Sequence, residues 1–225
     1  MAYSTISRIG KWFWSPYHLS IVGIVAYNSW ILALVLNPQA TFSGATTSEL
    51  EVNGQPWALL FRIADIVAGT FLLLGMEAIV SLGINVWQRW VLRFGMFILG
   101  ASTIFEVFVP LGCSSAANQV CARQEDLGLA GWQSSLHICE SVATYILIFL
   151  APFTVGWAVR AKPGLSRLRN LSWILAAGMV VWGIETAIKF VNDSEAYGYE
   201  QRLFLILFTV WFAVCLNVYH KHEQT

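Results

Sequence analysis

The chain has 225 residues, of which 57% are hydrophobic and 12% are charged, and its mean hydropathy is +0.62. Soluble domains carry about 25% charged residues, so this composition excludes an ordinary water-soluble domain. The formal net charge is zero, and nothing in the charge balance points to a nucleic-acid partner.

Apolar segments of membrane-spanning length recur along the chain and predict a bundle of transmembrane helices. A span needs about 20 mostly apolar residues, and turn-forming pairs such as Asn37-Pro38 and Pro163-Gly164 separate the segments. We therefore expect an all-α fold, with residues 1–225 forming a single six-helix transmembrane domain. The six predicted spans are Tyr17–Leu36, Trp57–Gly83, Trp90–Leu111, Trp132–Trp157, Leu171–Val191 and Leu203–Tyr219.

The first apolar segment follows two basic residues, as the apolar region of a signal peptide does. Signal peptides have apolar regions of about 7–15 residues, and this segment is longer and contains Tyr27, Asn28 and Trp30. No small-residue cleavage site follows it clearly. We expect a retained helix.

Basic residues are concentrated in alternate connections and predict the orientation. The first, third and fifth connections contain one basic residue, Arg123. By the positive-inside rule, both termini are expected in the cytoplasm, and these three connections form the predicted outer end. The remaining segments hold Arg8, Lys11, Arg89, Arg160, Lys162, Arg167, Arg169 and Lys221.

Two of the four cysteines, Cys113 and Cys121, lie in the third connection. An extracytoplasmic compartment permits disulfide formation, so we expect a bond between them rather than two free thiols. Cys139 and Cys215 lie within helices and are expected to be packing residues.

Most ionisable residues inside the apolar segments lie towards the predicted outer end. A charge in hydrocarbon costs roughly 2.5–3.5 kcal/mol on insertion scales, so such residues face one another or a wet cavity. Their shared depth predicts one polar pocket open to the outside. The residues are Arg62, Asp65, Glu106, His137, Glu140, Glu185 and Lys189, with Arg202 near the outer surface.

Spacing along the helices predicts local partners, because residues three or four apart share a face. Glu106 has no such partner and is expected to meet Arg62 or His137 from another helix. The predicted local pairs are Arg62 with Asp65, His137 with Glu140, and Glu185 with Lys189.

Three functions fit these residues. In the first, the buried charges only pair helices, because polar contacts select partners where no hydrophobic force acts between helices. In the second, the protein binds membrane lipid or acts on it as a hydrolase or transferase. In the third, it is a small proton-coupled transporter, although only Glu77 and Arg93 continue towards the cytoplasm.

The enzyme hypothesis assigns explicit roles. His137 with Glu140 or Glu106 would act as a general base. The same three residues with Asp65 would alternatively hold a zinc ion. The expected substrate-binding residues are Arg62, Asp65, Glu185, Lys189 and Arg202.

Several short motifs together resemble a known family. The approach to the second span contains Ser48-Glu49-Leu50, Gly54-Gln55-Pro56 and Phe61-Arg62 with Asp65. These motifs resemble the bacterial integral membrane family catalogued as domain of unknown function 998. The resemblance implies a six-helix protein of the bacterial inner membrane and implies no activity. Further matching residues are Val109-Pro110, Cys113, Cys121, His137, Gly198 and Gln201-Arg202.

The third span departs from the family pattern. Members often carry an acid soon after the proline that ends this helix, whereas Leu111 and Gly112 follow Pro110 here. Glu106 lies before that proline and is the expected substitute.

Ser48 and Glu49 precede the second span. The pair is expected to form an N-cap or a solvated turn. The alternative is a lid that folds over the pocket.

Overall fold

The computed structural model describes residues 15–42, 44–116, 118–191 and 197–223. All regular secondary structure in these ranges is helical, which confirms the all-α prediction. The long helices are α1 (Pro16–Tyr27), α2 (Ala58–Gly75), α3 (Val86–Glu106), α4 (Trp132–Ala158), α5 (Ser166–Val191) and α6 (Tyr197–Glu223).

Among the described residues, four helical segments are long and apolar enough to cross a membrane. This finding indicates a membrane protein. The helices α3 and α5 correspond to the other two predicted spans, and each carries several charged residues. The four apolar segments are Pro16–Leu36, Ala58–Gly75, Trp132–Ala158 and Gly198–Lys221.

The predicted spans differ in their bounds from the observed helices. The fifth and sixth helices begin at Ser166 and Tyr197 rather than at Leu171 and Leu203, and the third ends at Glu106 rather than Leu111. The second was expected to continue to Gly83, but α2 ends at Gly75 and a short helix, Glu77–Val80, follows. The third begins at Val86 rather than Trp90, because the Asn85 side chain accepts a hydrogen bond from the Gln88 backbone N–H at 2.9 Å. This cap satisfies a free donor of the first turn.

The first apolar segment is helical but interrupted. α1 ends at Tyr27, a 3₁₀ turn follows over Ser29–Leu32, and a further helical turn covers Ala33–Leu36. The Asn28 side chain donates to the Ile24 carbonyl at 2.9 Å. Irregular backbone at membrane depth is tolerated where it is buried in protein or lines a cavity, and this interruption has that position.

The six helices pack as a closed ring in chain order. Each one contacts the next, and α6 returns to α1. The interior is apolar over most of its length, with residues such as Leu72, Leu99, Phe208 and Phe212 in one buried cluster. Short connections between neighbouring antiparallel helices favour this arrangement.

Small residues allow α2 to approach both of its neighbours. The Ser20 side chain of α1 donates to the Gly75 carbonyl at 3.0 Å. On the other side, a Cβ atom at Gly69 would lie 2.4 Å from the Gly100 carbonyl oxygen of α3. Close backbone contact at small residues is the usual basis of helix association in membranes.

We predict that Gly69→Ala separates α2 from α3 and destabilises the fold by about 1–3 kcal/mol, the usual cost of overpacking. The matched control is Gly95→Ala, where an added Cβ meets nothing within 4 Å. Thermal unfolding in detergent should show a lower Tm for the first variant only. Equal Tm values for both variants would contradict this packing.

Candidate functional site

A small cavity lies beneath the first connection, which covers residues 37–57. Its volume is about 40 Å³, which is room for a few water molecules. Five parts of the fold meet there: the interrupted first segment, the first connection, α2, α3 and α6. Its lining includes Tyr27, Trp30, Glu51, Asp65, Glu106 and Leu205.

Residues 48–52 of the first connection lie over this cavity and are buried. Ser48 is 9% exposed, and Glu49 and Glu51 are 4% and 3% exposed. The short 3₁₀ turn Ser48–Glu51 has Thr47 before it, without a side-chain cap. The expectation of an N-cap or a solvated turn at Ser48 and Glu49 is therefore wrong, and the segment covers the cavity.

Glu49 makes the hydrogen bonds that join this buried segment to the third connection. Its Oε1 accepts from the Thr46 backbone N–H at 3.1 Å, and its Oε2 accepts from the Ser114 hydroxyl at 2.5 Å and the Ala116 backbone N–H at 3.0 Å. Hydrogen bonds to a buried carboxylate are stronger than neutral ones. They join the first connection to the third.

The predicted disulfide is present and supports this contact. Cys113 and Cys121 are bonded, with their Cα atoms 6.0 Å apart. The closed loop contains Ser114 and Ala116, so the bond restricts the two donors of Glu49. This confirms the interpretation of the cysteine pair.

Residues at the start of α6 hold the connection from another side. The Thr47 backbone N–H donates to the Gln201 side chain at 2.8 Å. A Cβ atom at Gly198 would lie 1.9 Å from the Gly44 carbonyl oxygen, so only glycine permits this approach. Arg202 is 6% exposed and interacts electrostatically with Glu49, which places it at the connection rather than in the cavity.

The predicted pair between Arg62 and Asp65 is not formed. The Arg62 Nε donates to the Glu51 carbonyl at 2.9 Å, and its Nη2 donates to the same carbonyl and, at 2.9 Å, to the Asn53 side chain. The Asp65 carboxyl is hydrogen-bonded instead to the Glu51 carboxyl. Two carboxyl groups can share such a bond only when one is protonated.

Glu51 was not among the predicted site residues, because it precedes the apolar segment. Burial raises the pKa of its carboxyl above the ordinary value, while the hydrogen bond to Asp65 and the nearby Arg62 act in the opposite direction. In the sequence, its position directly after the motif Ser48-Glu49-Leu50 could have identified it as a site residue.

His137 is the partner of Glu106, as one alternative predicted. Its ring is 3% exposed, and Nδ1 donates to the Val109 carbonyl at 2.9 Å. Because a carbonyl only accepts, Nδ1 carries a proton. The other ring nitrogen, Nε2, faces Glu106, whose Oε1 lies 3.5 Å away. A proton on either the carboxyl or Nε2 makes this contact attractive.

Glu140 does not pair with His137, contrary to the prediction from their spacing. Its Oε1 accepts instead from the Thr144 hydroxyl one turn later, at 2.7 Å. The Val109 carbonyl and Glu106 occupy the two sides of the imidazole, which removes His137 as a donor to its own helix. Glu140 nevertheless remains within electrostatic range of Glu51 and Glu106.

The other predicted residues lie apart. Glu185 is exposed on α5, and Lys189 falls in the part of α5 whose side chains the structure does not describe. The expected zinc ligands were Asp65, Glu106, His137 and Glu140. Over the described residues, no group of three His, Cys, Asp or Glu side chains has the geometry to hold a metal. The geometry therefore does not support the zinc hypothesis.

The fold and the polar cluster define a class: a helical membrane protein with carboxyl groups gathered beneath a buried connection. The family match is consistent with it. The chain belongs to the family described as Protein of unknown function (DUF998), whose model matches residues 20–217. No curated protein and no solved structure matches the chain significantly.

We predict that Glu49→Ala releases the first connection, because it leaves the buried hydroxyl of Ser114 and the backbone N–H of Ala116 without their acceptor. The cost should be roughly 1–3 kcal/mol. Limited proteolysis should cut residues 44–56 faster in this variant than in the wild type. Gln124→Ala, an exposed change near the disulfide loop, is the control and should leave the cleavage rate unchanged.

The raised pKa of Glu51 predicts a pH dependence. A carboxyl whose folded pKa lies above its unfolded value stabilises the fold fully below the unfolded pKa, about 4.3, and this contribution is lost as pH rises through the folded pKa. Glu51→Gln mimics the protonated group. The Tm of this variant should exceed that of the wild type increasingly as pH rises, and a difference independent of pH would refute the assignment.

Proposed function

We propose that the chain is a six-span protein of the cell membrane, with both termini in the cytoplasm, that binds the head group of a membrane lipid in the outer half of the bundle. The observation that carries this proposal is the cavity beneath the buried first connection, with Glu51, Asp65 and Glu106 in its lining. The family resemblance favours the bacterial inner membrane.

The lengths and charge distribution of α3 and α5 support six spans. With 21 and 26 residues, they extend about 32 and 39 Å at 1.5 Å per residue, and the hydrocarbon core is about 30 Å thick. Residues 94–105 of α3 and 170–184 of α5 contain no Asp, Glu, Lys or Arg. Both helices also belong to the ring of apolar helices.

The charges near the start of α3 are compatible with a membrane surface. Arg93 donates to Glu77 at 2.7 Å in an exposed ion pair. Arg89 lies one turn earlier, and its Nε donates to the Gly83 carbonyl at 3.1 Å. Paired and interfacial charges cost less than isolated ones in hydrocarbon.

Binding agrees with the geometry better than transport. A second cavity measures about 10 Å³, and no Asp, Glu, Lys, Arg or His is among the described residues that line it, which are Ile24, Tyr27, Leu72, Leu99, Phe208, Thr209 and Phe212. Proton relays within membranes usually use acidic side chains and histidine. The Glu77–Arg93 pair lies on the exposed surface and does not extend the cavity.

Binding also agrees better than hydrolysis. His137 is not part of the cavity lining, and its two ring nitrogens face Val109 and Glu106. A general base must reach the proton that it abstracts. In the proposed topology the cavity lies at the level of the outer leaflet, and this position favours a lipid head group as its ligand.

The predicted orientation can be tested with single cysteines on opposite faces. Gln124→Cys in the third connection should react with a membrane-impermeant thiol reagent in intact cells. Pro163→Cys in the fourth connection should react only after permeabilisation. Reaction of both sites in intact cells, or of Pro163→Cys alone, would overturn the proposed topology.

Lipid binding can be tested with a variant that fills the cavity. Ser29 lines the cavity, whereas Ser135 is exposed on α4. We expect native mass spectrometry of the purified wild type and of Ser135→Phe to show bound lipid, and Ser29→Phe to lose it. Equal lipid retention by all three proteins would reject the cavity as the binding site.

A further inference from the structure

We infer that the ligand group that enters the cavity is a primary ammonium group with an oxygen atom close to its nitrogen, as in ethanolamine. This inference rests on the proposed function, since it names the chemistry that the same cavity would bind. It follows from the charges in the lining, from two unpartnered polar atoms and from the size of the cavity.

The charge of the lining favours a cation. Glu51, Asp65 and Glu106 contribute three carboxyl groups, and no Lys, Arg or His is among the described residues that line the cavity. The nearest guanidinium, that of Arg62, donates to the Glu51 carbonyl and to Asn53. A phosphate would meet like charge here, whereas an ammonium group would neutralise it.

Glu51 offers acceptor capacity to such a ligand. The residue is 3% exposed and lines the cavity; its Oε2 accepts from no N–H or hydroxyl group of the described residues, and its carboxyl group is hydrogen-bonded to that of Asp65. Buried polar atoms are nearly always satisfied, so an exception calls for an explanation. An ammonium group carries three N–H donors, which matches the three carboxyl groups.

Trp30 supplies the second unpartnered atom. It is 8% exposed and lines the cavity, and its Nε1 finds no acceptor within the described part of the chain. An indole N–H only donates, and an ammonium group has no acceptor to offer. A ligand that satisfies both Trp30 and Glu51 therefore combines an N–H donor with an oxygen acceptor.

The remaining lining and the volume agree with a small cation. Tyr27 and Phe61 add aromatic surface to that of Trp30, and aromatic residues attract cations through their ring faces. About 40 Å³ accommodates the amine end of a molecule rather than a whole lipid. A trimethylated amine is larger and lacks the N–H donors that Glu51 requires.

A primary ammonium group with a nearby oxygen atom can come from two sources, the head group of phosphatidylethanolamine and free ethanolamine. The full chain in nanodiscs should gain thermal stability with phosphatidylethanolamine over phosphatidylcholine and over phosphatidylglycerol. Ethanolamine added to phosphatidylcholine nanodiscs tests the soluble source. A rise in Tm with ethanolamine but not with phosphatidylethanolamine would support the ammonium group and assign it to a soluble ligand.

Variants separate this inference from general effects of lipid. Glu51→Gln and Asp65→Asn should weaken the preference for phosphatidylethanolamine by about tenfold or more, since a charged hydrogen bond contributes about that factor in affinity. Glu77→Gln removes an exposed acid outside the cavity and should keep the preference. Each variant is compared by native mass spectrometry, which reports bound lipid independently of Tm.

The experiments distinguish a failure of lipid binding from a failure of the ammonium inference. If the wild type binds lipid that Ser29→Phe loses, but does not prefer phosphatidylethanolamine or ethanolamine, the cavity binds lipid and the ammonium inference is wrong. The same conclusion follows if both Glu51→Gln and Asp65→Asn fold and retain the full preference. If no lipid is retained but ethanolamine raises the Tm, the inference stands and lipid binding is wrong.

Discussion

The contact on which the site depends is that between the carboxylate of Glu49 and the third connection. Oε2 of Glu49 accepts from Ser114 and Ala116 within the disulfide loop, and this holds residues 44–52 against the helices. Burial of Ala45, Leu50 and Val52 accompanies this contact. The burial of Glu51 and the hydrogen bonds of Arg62 to the Glu51 carbonyl and Asn53 depend on the position of the same segment.

Burial of the connection changes the chemistry of the acids beneath it. Arg62 donates to the carbonyl of Glu51, while the carboxyl group of Glu51 is hydrogen-bonded to Asp65. On α3, Glu106 faces His137 in the same way, across helices rather than along one. Each acid is thus held by a partner from another element, and the cluster exists only when the loop and helices are assembled. Such contacts also select which helices associate.

The sequence predicts the parts of this fold that depend on local composition. Hydropathy predicts the apolar helices, and the connection containing Cys113 and Cys121 predicts the disulfide. Spacing along a helix predicts wrong partners for Arg62 and Glu140. Arg62 donates to the first connection, and Glu140 accepts from Thr144 because Val109 and Glu106 occupy the ring nitrogens of His137. Glu51 was missed since only the folded connection brings it beneath the surface. Tertiary contacts of a loop have no period in the sequence, so these errors share one cause.

The account can be tested most directly by the accessibility of the first connection. Leu50 is 0% exposed in the buried turn, whereas Gln39 is exposed in the same connection. In variants that keep the Cys113–Cys121 disulfide and carry Cys139→Ala to remove the exposed free thiol, Leu50→Cys should react with a soluble thiol reagent far more slowly than Gln39→Cys. Equal rates, with the same Tm for both variants, would show that the connection is open and that the carboxyl cluster is not enclosed.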